Sequence, residues 1–242
     1  GVFNAIAAPM DARIRNRVSG KDSVIRTSQL TNYNILVFDQ ALKGRSFITL
    51  TNTNVIRNGQ GRDANVTALD LALYNKKNTY AFNGTARYSK IWSTSPYDGF
   101  NTTIKYGKVS GNWQFYVLNN IESKNYEPND LGLLVAANEV TYRANVSYNH
   151  FKPTKNLIQY RYTLDQRYQR MFTPKAFNRY DITGTAFWIF KNFWDVTTHA
   201  QLTPFTVQDF FELRTDGRYL NLPLNMYFDA SGSTDSRKKL FV

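Results

Sequence analysis

From Glu139 to Phe151 the chain alternates without a break. Val140, Tyr142, Ala144, Val146 and Tyr148 take one side, and Thr141, Arg143, Asn145, Ser147 and Asn149 take the other. A period of two is the mark of an extended strand, whose successive side chains project to opposite faces, and it is incompatible with an amphipathic helix. The pattern recurs in Leu157 to Tyr168, where Ile158, Tyr160, Tyr162, Leu164 and Tyr168 oppose Gln159, Arg161, Thr163, Asp165 and Arg167. It recurs again in Asn78 to Trp92 and in Phe177 to Phe190.

Continued along the chain, this alternation predicts about thirteen strands and no helix. They fall at 1–17, 23–42, 45–56, 63–75, 78–92, 99–109, 112–123, 139–151, 156–171, 177–190, 194–205, 217–230 and from 236 onward. The links between them carry a second signal. Lys43-Gly44, Lys76-Lys77, SGN, KPTK and KNF are short, whereas RNGQGR, STSPYDG, SKNYEPNDLGLLVAAN and TVQDFFELRTDG are longer, with TPKA intermediate. Short and long links alternate, so in an antiparallel meander tight turns gather at one end and long loops at the other.

Composition decides which face meets which solvent. The chain holds 16 Tyr, 17 Phe and 4 Trp, yet its mean hydropathy is hydrophilic. Aromatic and polar residues together suit a structure with an apolar exterior and a wet interior, as in an outer-membrane barrel with short periplasmic turns and long extracellular loops. A β-sandwich or propeller is the soluble alternative, but neither has a reason to sort loop length by end. The run FWIFKNFW from Phe187 to Trp194, beside a short turn, fits an interfacial aromatic girdle. The expected fold class is therefore all-β, an antiparallel transmembrane β-barrel built as an up-and-down meander. The expected organisation is one barrel domain over 1–242, with no separate soluble domain. An odd strand count and an end at KKLFV that reads as a strand cut short make this barrel an incomplete one or a fragment of a larger barrel. Any export signal is expected to have been removed or to lie upstream.

Several chemistries are excluded or disfavoured by residue type. There is no Cys, hence no disulfide, thiol nucleophile or Cys-held zinc. His150 and His199 form no metal-binding spacing, so neither a metal site nor a cofactor is expected. No run approaches the roughly 18 apolar residues of a transmembrane helix. The formal charge of +12 is scattered in sequence among Thr, Asn and aromatics, which argues against nucleic acid and leaves an anionic membrane as its partner.

The runs GVFNAIAAP, SQLTNYNILVFDQALKGRSFITLTNTNVIR, DANVTALDLALYNKKNTYAFNGTARYS and NNIESKNYEPNDLGLLVAANEVTYRANVSYN cover much of the chain in order. They resemble the C-terminal region of a Bacteroidota family of unknown function. The resemblance implies a large outer-membrane protein in which a carbohydrate-binding-type sandwich precedes a barrel, some members being labelled membrane-associated hydrolases. It supplies no catalytic residue for this chain.

Three groups of side chains are candidate sites. Arg143, Asp165, Arg167 and Asp181 are expected to form a charge ladder on one wall of the lumen, with Arg143 opposite Asp165 and Arg167 opposite Asp181. The same ladder is expected if it only stiffens the wall. The insertion at 123–138 is expected to fold over the lumen as a plug or docking element. Its candidates are Tyr126, Pro128, Asn129, Asp130, Leu131, Leu133, Leu134 and Val135, because an exposed LLVAA would be a liability. Arg13, Arg15 and Arg17 alternate on one face of an N-terminal hairpin, which is either a solvated protrusion or a contact for lipopolysaccharide phosphate. His199 shares a face with Asp195, Thr197 and Gln201, but residues two apart on a strand lie about 6 to 7 Å apart, so a triad would have to assemble across strands. No catalytic residue is assigned.

The function expected is a channel, transporter or surface-complex component of the bacterial outer membrane, in contact with lipid, lipopolysaccharide and other surface proteins. A membrane-embedded hydrolase and an anchor for a surface binding domain are the alternatives.

Overall fold

The computed structural model describes residues 1–59, 61–213, 215 and 217–239. Among them there is no helix and there are sixteen strands. These are β1 (Val2–Ala7), β2 (Met10–Arg15), β3 (Asp22–Ser28), β4 (Thr31–Ala41), β5 (Phe47–Arg57), β6 (Asp63–Tyr74), β7 (Tyr80–Trp92) and β8 (Tyr97–Lys108). Then come β9 (Trp113–Glu122), β10 (Glu139–His150), β11 (Leu157–Met171), β12 (Phe177–Phe190), β13 (Asp195–Thr203), β14 (Val207–Asp209), β15 (Leu220–Leu222) and β16 (Asn225–Ser233). Twelve of them make one antiparallel meander in the order β1, β4 through β13, β16. The pairs β2–β3 and β14–β15 are separate hairpins inserted between β1 and β4 and between β13 and β16.

Four expectations are corrected here. The segment 1–17 is two strands, because Pro9 lacks the N–H that a ladder needs and the chain bends there. The segment 23–42 is likewise two, so β1 pairs with β4 while β2 and β3 pair with each other. The segment 217–230 is β15 followed by β16, parted at Pro223. Residues 236–239 form no strand, and 240–242 lie outside the described residues. The sheet is also not closed: β1 and β16 are its two edges. With twelve strands, those edges run in opposite directions.

Loop length sorts by end only in part. The turns 42–46, 75–79, 109–112, 151–156 and 191–194 lie at one end. The other holds the long connections 8–30, 123–138 and 204–224 together with 58–62, 93–96 and 172–176, which are as short as the turns opposite, against the expectation of longer links at RNGQGR and STSPYDG. Four of the short turns reverse through a left-handed residue, at Gly44, Asn78, Gly111 and Phe193 (φ of 74°, 51°, 83° and 63°). Such a residue lets a tight turn match the twist of its strands.

Register gives every strand one polar and one apolar face, and a one-residue slip would exchange them. Charges in the middle of strands all project from the polar face, among them Asp39, Asp70, Arg87, Lys105, Arg143, Asp165 and Asp181. Charges on the apolar face occur only near strand ends, at Asp63, Lys90, Asp98, Lys108 and Arg170. Only ten hydrophobic residues of those described are buried, mostly small ones such as Ala64, Ala68, Ala72 and Ala81. Large side chains including Phe38, Ile104, Val117, Leu164 and Phe228 stand exposed instead. This is the reverse of a soluble core.

Candidate functional site

The connection 123–138 lies over part of the polar face. Its entry is pinned where the Phe100 N–H donates to Ser123 Oγ (2.8 Å) and the Glu127 N–H donates to Ser89 Oγ (3.1 Å). Between these points the backbone at Tyr126 lies directly on Gly99, where an added Cβ would sit 2.3 Å from the Tyr126 nitrogen. Glycine is needed there because no side chain leaves room for the loop. The loop's own Tyr126 is buried, and burial raises its phenol pKa above the ordinary value.

Asp130 closes the clasp from the far side. Its side chain is 7% exposed, and it accepts hydrogen bonds from Arg57 Nη2 (2.6 Å) and from Arg62 Nη2. Burial works to lower the Arg62 pKa, but the attraction of Asp130 outweighs it and the guanidinium is held charged more firmly than usual. Asn129 bonds the Leu134 carbonyl through Nδ2 (3.0 Å), which shapes the tip. A cavity of about 350 Å³ remains below, lined by Thr51, Arg87, Asn101, Glu122, Pro128 and Leu131 among others. Leu134 also lines it and is half-buried, whereas Leu133 and Val135 are 89% and 95% exposed. The expectation that the whole LLVAA run is covered is therefore corrected: the acidic and aromatic part docks, and its apolar tip does not.

The four ladder residues all lie on the polar face but divide into two clusters. Arg143 Nε meets Asp165 Oδ1 at 2.8 Å, and Asn145 donates to the same carboxylate at 2.9 Å. The register differs by two residues from expectation, because the turn between β10 and β11 is longer. Arg143 stands directly across from Arg167, and Asp165 is its diagonal neighbour. Arg167 does lie directly across from Asp181 and donates to it at 2.6 Å. Asp181 is 3% exposed and also accepts from Arg179 Nε (2.8 Å) and Thr203 Oγ1 (2.7 Å), partners that strand alternation did not single out.

His199 is joined across strands. Its Nδ1 is 3.2 Å from Asp229 Oδ1 on β16, its directly opposite neighbour, and Thr185 faces it from β12. Asp195 instead accepts from Ser233. Among the described residues no three His, Asp or Glu side chains are grouped as a metal would require.

The β2–β3 hairpin exposes Arg13, Arg15 and Arg17. Arg15 lies 3.9 Å from Asp22 and Arg26 pairs with Asp11, while Arg13 faces Val24.

Aromatic rings form two belts on the apolar face. Toward the short turns, contacts run from Tyr80 to Tyr106 (6.2 Å between centroids), Trp113 to Tyr148 (5.0 Å), Tyr148 to Tyr160 (6.2 Å) and Tyr162 to Trp188 (6.0 Å). Toward the long loops they run from Phe100 to Phe172 (5.8 Å), Tyr142 to Tyr168 (6.1 Å) and Phe177 to Phe205 (6.4 Å). The FWIFKNFW run is split by this geometry, with Trp188 in a belt and Phe187 on the polar face under Arg161.

The whole chain, residues 1–242, matches the family described as domain of unknown function DUF5916. This chain belongs to the DUF5916 family. No curated protein and no solved structure matches it. For this DUF5916 chain the functional reading therefore rests on the two faces of the sheet and on the loop across one of them.

Proposed function

We propose that the chain forms the wall of a transmembrane β-barrel in the outer membrane of a Gram-negative bacterium, with the 123–138 loop obstructing a polar passage. The observation that carries this reading is the sorting of charge: mid-strand charges all share one face, while exposed apolar residues bounded by two aromatic belts occupy the other. A bilayer requires that arrangement, because uncompensated charge in hydrocarbon is expensive and amphipathic rings prefer its interfaces. Strands β4 to β12 have 10 to 15 residues each, against the roughly 9 to 11 needed to span. Several amides on the apolar face bond one another: Asn4 donates to Asn32 and Asn34 (2.6 and 2.7 Å), and Asn52 and Asn65 exchange bonds of 3.1 Å.

Every backbone donor must be paired in lipid, so in this reading β1 and β16 meet each other or further strands. The passage serves as a channel or transport path, or the barrel carries a surface complex at its long-loop end, where Arg13, Arg15 and Arg17 face lipopolysaccharide phosphate. The test is reconstitution of the full chain in liposomes and planar bilayers. Heat-modifiable folding with discrete conductance supports a channel, folding without conductance favours the anchor, and a stable monomer in detergent-free buffer refutes the barrel.

A second reading, a membrane-embedded hydrolase, is favoured by the His199–Asp229 pair, since a carboxylate on Nδ1 orients an imidazole as a base. Absence of ester or glycan hydrolysis by the reconstituted chain would remove it, and hydrolysis that survives H199A would remove His199 as the base.

A further inference from the structure

The net charge of +12 is unevenly placed. The five short turns contain seven Lys or Arg and no Asp or Glu, whereas the three long connections contain eight basic and seven acidic residues. Lys43 and Arg45 lie between β4 and β5, Lys76 and Lys77 between β6 and β7, and Lys152 and Lys155 between β10 and β11, all exposed. Lys191 and, at the end of β8, Lys108 extend the series to the other two turns. None of the eight makes an ion pair among the described residues. The nearest carboxylates in strands, Asp39 and Asp195, project from the polar face and accept from Thr49 and Ser233. Arg237, stacked 3.6 Å from the Phe193 ring in the β12–β13 turn, brings the segment after β16 to the same rim.

A rim of one sign repels itself, and the carboxylate that the segment after β16 brings to it, Asp235, is taken by Arg237 (2.8 Å). Immediately beside it on the apolar face runs the belt of Tyr80, Tyr106, Trp113, Tyr148, Tyr160 and Trp188. Rings that settle at headgroup depth place the adjoining lysines level with lipid phosphates, where long cationic side chains extend into the polar layer.

We propose that the short-turn rim is a binding surface for anionic phospholipid headgroups, phosphatidylglycerol-like lipids of the leaflet on that side. This inference rests on the barrel reading and deepens it, because it gives the two leaflets different contacts. The short-turn side takes a uniform lysine ring. The long-loop side has mixed charge, and in its β2–β3 hairpin Arg15 and Arg26 lie against Asp22 and Asp11.

The test is flotation of the full chain with vesicles of phosphatidylcholine alone or with about one third phosphatidylglycerol, across ionic strength. Each Lys near an anionic surface is worth roughly fivefold in partitioning. Wild type is expected to favour the anionic vesicles strongly at low salt and to lose that preference toward 0.5 M salt, as the Debye length shrinks to a few ångströms. The variant K76Q/K77Q/K152Q/K155Q is expected to lose roughly 600-fold of the preference. The substitutions are in exposed turns, so its folding in phosphatidylcholine should match wild type. Equal partitioning of wild type into both vesicle types overturns the proposal, as does an undiminished preference in the quadruple variant. Suppression of the preference by millimolar inorganic phosphate also overturns it, by assigning the rim to a soluble anion, and so does a preference for an acidic peptide over the anionic vesicles. Failure to fold in phosphatidylcholine is a separate result, which strikes the barrel itself.

Discussion

Replacing Asp130 with Asn removes one carboxylate and leaves two guanidinium groups without their partner. Arg57 and Arg62 are 24% and 36% exposed at the side chain, so water recovers part of the loss, whereas Asp130 itself is 7% exposed. Breaking a fully buried ion pair costs about 3 to 5 kcal/mol, and a charge-assisted hydrogen bond contributes about 1.5 to 3 kcal/mol. For two bonds of intermediate burial, the docked loop should be weakened by about 3 kcal/mol, which corresponds to on the order of 100-fold in the docking equilibrium. The assay is trypsin cleavage within 123–138 of the liposome-reconstituted chain, recorded beside conductance. D130N should be cut on the order of 100-fold faster when cleavage follows the open population, and a channel should show larger or more frequent openings. The triple variant D130N/R57Q/R62Q should be cut more slowly than D130N, because it no longer buries unpaired cations. Unchanged cleavage in D130N, or a triple variant as sensitive as the sum of its parts, would refute the clasp.

Other perturbations address the same loop and wall. G99A should release the loop as D130N does, because its methyl would meet the Tyr126 backbone at 2.3 Å; cleavage of the loop reads this out. The raised pKa of the buried Tyr126 makes loop docking depend on the neutral phenol. Docking should be intact below the free-chain value of about 10 and lost as pH rises through the higher folded value, and Y126F should abolish this alkaline release in the same assay. D181N should destabilise the folded chain by about 3 kcal/mol, since it strands Arg167 and Arg179 beside a buried site. D165N should cost less, as its partner Arg143 is 46% exposed; urea titration from vesicles gives both values.

Alternation, turn chemistry and loop order depend on neighbours along the chain, and so they were legible. The strands from β5 to β13 fall within two residues of their expected limits, and the 123–138 insertion stands out by its Pro, Asn and Asp cluster. Register was less legible. The β10–β11 turn is one residue pair longer than KPTK suggests, which placed Arg143 against Arg167 and left Asp165 on the diagonal. Partners recruited from distant strands were not legible at all. Arg57 and Arg62 lie 73 and 68 residues from Asp130, and Thr203 lies 22 from Asp181.

The amino-acid sequence by itself determined that this chain makes two-faced strands and gathers its longest loops at one end, because a strand's faces follow from a period of two wherever the strand is placed. Only the tertiary structure decided what those faces and loops meet. Lysines scattered from 43 to 191 become one basic rim, since each tight turn of a meander returns to the same end. The acidic middle of one long loop finds two arginines across the sheet, since pairing strands in order brings a distant turn beneath it.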